Sequence, residues 1–146
     1  MIKKFWITLF LLVAICISGC SFSRKFYLDD AFYWQDKYIE ITAQEFEKLE
    51  NENYVLFTYN NYCALSIPCD EIFQEFMTEN NISFLSMKYD EFKNTKLHDE
   101  VRFAPSVIVV KNWKVIDYLD SEEDDVNLYQ DVNEFAKWIW KHVLIK

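Results

Sequence analysis

The sequence predicts an α/β layered fold in which helices flank a mixed central sheet. Three observations predict it. Strand-like and helix-like segments alternate from Lys37 onward. The series closes with a β-hairpin and an amphipathic helix, the ending that adds antiparallel strands to a parallel sheet. The chain has only two prolines, and each stands at the start of an element: Pro68 opens a helix and Pro105 opens an apolar strand. Proline fixes φ and lacks a backbone donor, so these are the positions it tolerates.

The elements follow in order. Tyr38-Ile-Glu-Ile41 reads as a short strand. Thr42-Ala-Gln-Glu45 is a capping box that opens a helix reaching about Glu52. Tyr54-Val-Leu-Phe-Thr-Tyr59 is an apolar strand ended by Asn60-Asn61. From Pro68 to about Glu79, Ile72, Phe73 and Phe76 mark one face of a helix. Ile82 to Tyr89 alternates as a strand, and a short helix is expected around Thr95 to Val101. Val107 to Val110 and Val115 to Leu119 form a hairpin across Lys111-Asn-Trp-Lys114. Val132, Phe135, Ala136, Ile139 and Val143 then recur at helical spacing. Within this last helix Trp138 belongs to the core edge, and Trp140 faces solvent or a partner.

Residues 1–19 are read as an export signal. Lys3 and Lys4 supply a positive start, Phe5 to Ile17 is apolar, and Ile17-Ser-Gly-Cys20 ends it in small residues. The apolar run is shorter than the ~20 residues a spanning helix needs. Its ending resembles the lipobox of bacterial lipoproteins, which implies lipid on Cys20, palmitate among the acyl chains, and removal of Cys16 with the signal. Two acyl chains suffice for stable anchoring. Residues 20–36 are then a tether whose aromatic part lies on the domain or near the interface, and residues 37–146 are one domain.

Export makes Cys63 and Cys69 candidates for one disulfide. The net charge of −9 argues against nucleic acid. The single glycine, Gly19, leaves with the signal, so turns must use Asn, Asp or Ser for unusual dihedrals. His98 and His142 match no ligand spacing, and Ser121 to Asp125 lacks the pattern of a calcium loop, so neither metal nor other cofactor is expected.

From about Tyr38 to Val143 the chain resembles the thioredoxin family in element order and motif placement. Tyr62-Cys63 resembles the aromatic residue and first cysteine of its active site, and Pro68-Cys69 the second half of its Cys-Gly-Pro-Cys. Val101-Arg-Phe-Ala-Pro105 resembles the loop that carries its cis-proline, and Val110-Lys-Asn-Trp-Lys114 its Lys-Asn-Gly hairpin, with Trp113 in place of glycine. The resemblance implies a thioredoxin-like fold, catalysis by Cys63 and Cys69, and a substrate groove formed by Tyr62, Pro68, Ala104 and Pro105. Lipid-anchored thioredoxin-like proteins that accompany bacteriocin transport are one branch it resembles. The implied partners are thiols or disulfides of exported proteins, met by a monomer on the extracytoplasmic face of the cell membrane.

The spacing departs from the family. Cys63-Ala-Leu-Ser-Ile-Pro-Cys69 is C-x5-C rather than C-x2-C. In one register Cys63 keeps the nucleophile position and three residues are inserted. In the other, Ser66-Ile-Pro-Cys69 overlays the motif, and a serine stands where the nucleophile belongs. Asp70 and Glu71 follow Cys69 and oppose a thiolate, so a strong oxidant is not expected. In the first register the position of the family's buried acid is Phe57. A passive disulfide closing this loop is worth only about 2 kcal/mol. Redox enzyme and redox-inactive binding or chaperone-like module both stand as readings of the sequence.

Overall fold

The computed structural model describes residues 24–60, 68–122 and 124–146. Five strands form the main sheet in the order β2-β4-β3-β5-β6. They are β2 (Tyr38–Glu40), β3 (Asn53–Tyr59), β4 (Phe84–Lys88), β5 (Ser106–Lys111) and β6 (Lys114–Tyr118). β4 runs parallel to both β2 and β3, whereas β5 is antiparallel to β3 and to β6. A second, two-stranded sheet pairs β1 (Phe26–Tyr27) in parallel with β7 (Val143–Leu144).

Tyr54 to Thr58 of β3 are all buried, which a central strand covered on both faces requires. On one face Phe57 meets Phe73 of α2 (Cys69–Asn80) at 5.3 Å between ring centroids. Phe73 in turn meets Phe135 of α4 (Val132–Ile139) at 4.5 Å, and Phe76 meets the same ring edge-on at 5.1 Å. On the other face Tyr54 packs between Phe32 and Phe46, at 6.3 and 6.2 Å. Aromatic pairs of this kind add to area burial, so the core is held by interlocked rings.

The capping box forms as read: Glu45 N–H donates to the Thr42 hydroxyl at 3.3 Å, and Thr42 N–H to the Glu45 carboxylate at 2.9 Å. The helix it opens, α1 (Ala43–Phe46), is only one turn, and the chain continues to Glu52 through hydrogen-bonded turns. The short helix expected around Thr95 to Val101 is a 3-10 helix at Lys96–Asp99, and an unexpected helical turn, α3 (Tyr89–Phe92), follows β4. A further 3-10 helix, Val126–Tyr129, precedes α4.

Two expectations need correction. The final helix ends at Ile139, and Val143 lies in β7 rather than on the helix face. Backbone N–H groups of Trp140, Lys141 and His142 close successive turns, which swings the chain onto β1. The segment expected to be a tether is part of the fold from residue 26: Phe26, Leu28, Phe32 and Tyr33 are buried. The Tyr33 hydroxyl accepts from Leu28 N–H at 3.0 Å and donates to the Leu144 carbonyl at 2.8 Å, tying the first described segment to the last.

Positive φ occurs at Asp36, Asn81 and Asn112, residue types that tolerate it, but also at Trp34 and Trp113. Asn112 and Trp113 are the two central residues of the β5–β6 hairpin, where both must be left-handed for the strands to keep their twist. Trp113 is held there by an edge contact with Phe46 at 5.3 Å and by Lys96 Nζ at 3.0 Å from its ring centroid.

Candidate functional site

The site sits at the carboxyl end of β3, where α2 begins, with Tyr38 of β2 and Ser86 of β4 beside it. Cys69 is the first residue of α2, buried, with Pro68 as its N-cap. Pro68 is exposed, and its fixed φ of −57° suits a helix entry. Ile72, Phe73 and Phe76 anchor the apolar face of α2 and thereby fix the depth of Cys69.

Opposite lies the turn into β5. The peptide between Ala104 and Pro105 is cis. Asn60, just past β3, donates from Nδ2 to the Ala104 carbonyl at 3.1 Å, and the Ser106 hydroxyl donates to the Phe103 carbonyl at 2.8 Å. The Tyr89 hydroxyl holds the Arg102 carbonyl from the other side. Side chains thus fix the loop's carbonyls at three places.

Between the helix start and this turn lies a groove of about 300 Å³ lined by Tyr38, Phe57, Tyr59, Asn60, Cys69 and Asp70, with Ser86 and Pro105. Cys69 and Pro105 therefore share one cavity. Three of the eight lining residues are aromatic. Tyr38 packs on Phe57 at 5.6 Å, and its hydroxyl donates to the Asp70 carbonyl at 3.0 Å. Burial, aided by the charges of Asp70 and Cys69, pushes the Tyr38 phenol far above its ordinary value, so it keeps its proton. Burial also raises the Tyr59 phenol, as do the charge and hydrogen bond of Glu40.

In the register that keeps Cys63 as nucleophile, Phe57 occupies the position where the family resemblance implies a buried acid, and the ladder places Ser86 beside it. Neither can carry a charge. Cys20, Tyr62 and Cys63 lie outside the described residues. His98 and His142 are in separate places: His98 Nε2 is 3.2 Å from the Tyr89 hydroxyl, and His142 Nε2 is 2.8 Å from Asp117 Oδ2. Sequence reasoning missed Tyr38, Asn60 and Ser86 as groove residues. Only Asn60 left a trace, as the residue that ends a strand.

No family profile matches the chain, and no curated protein does. Solved structures do. A thioredoxin from Nicotiana alata superposes with a TM-score of 0.52 at 16% identity, covering 72% of this chain and 91% of that one. Spinach chloroplast thioredoxin F gives 0.51 at 16% identity, covering 73% and 87%. The chain has a thioredoxin-like fold. At this identity the likeness concerns the fold, and the thioredoxin-like groove must be read from its own residues.

Proposed function

We propose that this chain is a thiol–disulfide oxidoreductase of the extracytoplasmic membrane face. In this reading it is anchored through lipid on Cys20 and acts as a reductant or isomerase of exported proteins. The observation that carries the reading is the placement of Cys69, buried at the first turn of α2 in the wall of a groove shared with Pro105. Cys63 is the partner thiol.

In the reductive direction the Cys63 thiolate attacks one sulfur of a substrate disulfide. A mixed disulfide forms, and the other substrate sulfur leaves as a thiolate that takes up a proton. The Cys69 thiol then releases its proton and attacks the Cys63 sulfur. The bond between Cys63 and the substrate breaks, and the second substrate sulfur leaves with that proton. Two electrons have passed to the substrate, and the Cys63–Cys69 disulfide awaits a thiol reductant.

Replacing Cys69 with serine removes the resolving thiol, so exported proteins should accumulate as mixed disulfides on Cys63. Their absence would count against the reading. Anchoring has its own test: fatty-acid labelling should mark the wild type and not Cys20→Ala, and equal labelling would overturn it.

A second reading is a redox-inactive binding module, favoured by Phe57 and Ser86 side by side in the groove wall, neither of which can act as an acid. In that case Cys63→Ser leaves cellular function intact, whereas filling the groove, as in Ser86→Trp, abolishes it.

A further inference from the structure

Three of the five exposed large hydrophobic residues among the described residues, Tyr27, Trp34 and Trp140, gather at one end of the domain. Trp34 N–H donates to the Asn81 carbonyl, just past the C-terminal end of α2, at 2.7 Å. The Trp140 ring meets Phe76, one turn before that end, at 6.4 Å between centroids. Tyr27 joins them through Lys146, whose Nζ is 5.9 Å from its ring centroid and 4.5 Å from that of Tyr33. Cys69 begins α2, about 17 Å away along the helix, so the groove is at the other end.

Trp34 is the most exposed of the five, at 68%, and its φ is 70°. A bulky residue in the left-handed region costs energy that packing ordinarily offsets. Trp113, also at positive φ, has the Phe46 ring against it, whereas Trp34 makes no ring contact among the described residues. Charge at this end also departs from the rest. Residues 24–28 and 135–146, which meet in the β1–β7 sheet, hold five Lys or Arg and no Asp or Glu, in a chain with 15 basic and 24 acidic residues. Lys137 pairs with Glu134 and Lys146 with Asp30. Arg24, Lys25 and Lys141 are exposed, with no ion-pair partner among the described residues. Glu75 and Glu79 of α2 are exposed acids towards the same end, so the aromatic residues define the surface more than its charge does.

We propose that this end of the domain rests on the bilayer, with Tyr27, Trp34 and Trp140 at headgroup depth and Arg24, Lys25 and Lys141 against anionic headgroups. Tyr and Trp favour that depth because their rings are apolar with a polar tip. Each base near an anionic surface adds a smaller attraction. The inference rests on the anchoring part of the proposed function. Six residues separate Cys20 from Phe26, a reach of about 20 Å at full extension. Phe26 N–H is bound to the His142 carbonyl at 2.9 Å, so an anchor at Cys20 keeps this end of the domain near the membrane. The groove then opens away from the lipid, towards exported proteins.

The test uses the purified full chain in vesicles of phosphatidylglycerol and phosphatidylcholine, the latter brominated near the headgroup end of its acyl chains. Bromine quenches tryptophan only at short range. Wild-type emission should be quenched relative to unbrominated vesicles, and Trp34→Phe/Trp140→Phe should lose most of that quenching. Any contribution from Trp6 is common to both proteins and cancels. Equal quenching in the two, in chains that float with the vesicles, overturns the proposal and leaves the anchoring reading standing. A chain that does not float overturns both. If the double variant loses its fold, Trp34→Phe alone is read in the same way.

Discussion

Asn60 Nδ2 donates to the carbonyl of Ala104 at 3.1 Å, which ties the end of β3 to the residue before Pro105. The two walls of the groove are therefore joined by a side chain as well as by the β3–β5 ladder. Asn60→Ala leaves this half-buried carbonyl without its donor and should lower stability by about 1 kcal/mol. A urea midpoint unchanged from the wild type would show that the link contributes nothing.

Trp113 sets two effects against each other. A non-glycine residue in the left-handed region costs roughly 1–2 kcal/mol, which Trp113→Gly would relieve. The same change removes a ring packed on Phe46 and under Lys96, and truncating a buried aromatic costs about 3–5 kcal/mol. Trp113 is only partly buried, so about half of that applies. Packing should still win, and Trp113→Gly should melt lower than the wild type. A higher melting temperature would mean that backbone strain dominates the hairpin.

Asp117 predicts an acid-dependent term. Burial alone would raise its carboxyl. The hydrogen bond and charge of His142 outweigh that, with Tyr118 N–H and the Trp138 indole N–H adding to them, so it lies below the usual value. A carboxylate depressed in the folded state stabilises fully above its unfolded value of ~3.9 and loses that stabilisation as pH falls through the folded value. Asp117→Asn should therefore be less stable than the wild type at neutral pH and converge with it in strong acid. Parallel stability curves from pH 7 downward would contradict the assignment.

How much of this was legible in the sequence depends on range. Elements written in local pattern could be read: the Thr42–Glu45 capping box, the apolar β3 run and the β5–β6 hairpin. The pairing of Phe26 with Val143 could not, because each strand is two residues long and its partner is at the opposite end of the chain. Val143 happens to fall at helical spacing from Ile139, so periodicity alone assigns it to the helix. In the groove, the cysteine and proline signals were readable because they are rare residue types. Tyr38 and Ser86 were not, since their place in the wall is set by the β2–β4–β3 registers.

Those end-to-end contacts carry a prediction of their own. Phe26 is buried beside β7, with Lys111 Nζ 5.1 Å from its ring centroid. Phe26→Ala should destabilise by about 3 kcal/mol if the segment is structural. A change within a few tenths would restore it to the role of a simple tether.

The central claim is that Cys63 and Cys69 exchange electrons with protein disulfides, and a redox titration of the full chain tests it most directly. The protein is equilibrated across glutathione buffers, its thiols are trapped by alkylation, and insulin reduction is followed in parallel. The account predicts a single two-electron transition in which Cys63 and Cys69 are trapped together, more reducing than the strong oxidants near −120 mV, with insulin reduction that Cys63→Ser abolishes. A pair that never titrates, or one that titrates while insulin reduction is the same in Cys63→Ser as in the wild type, would contradict it.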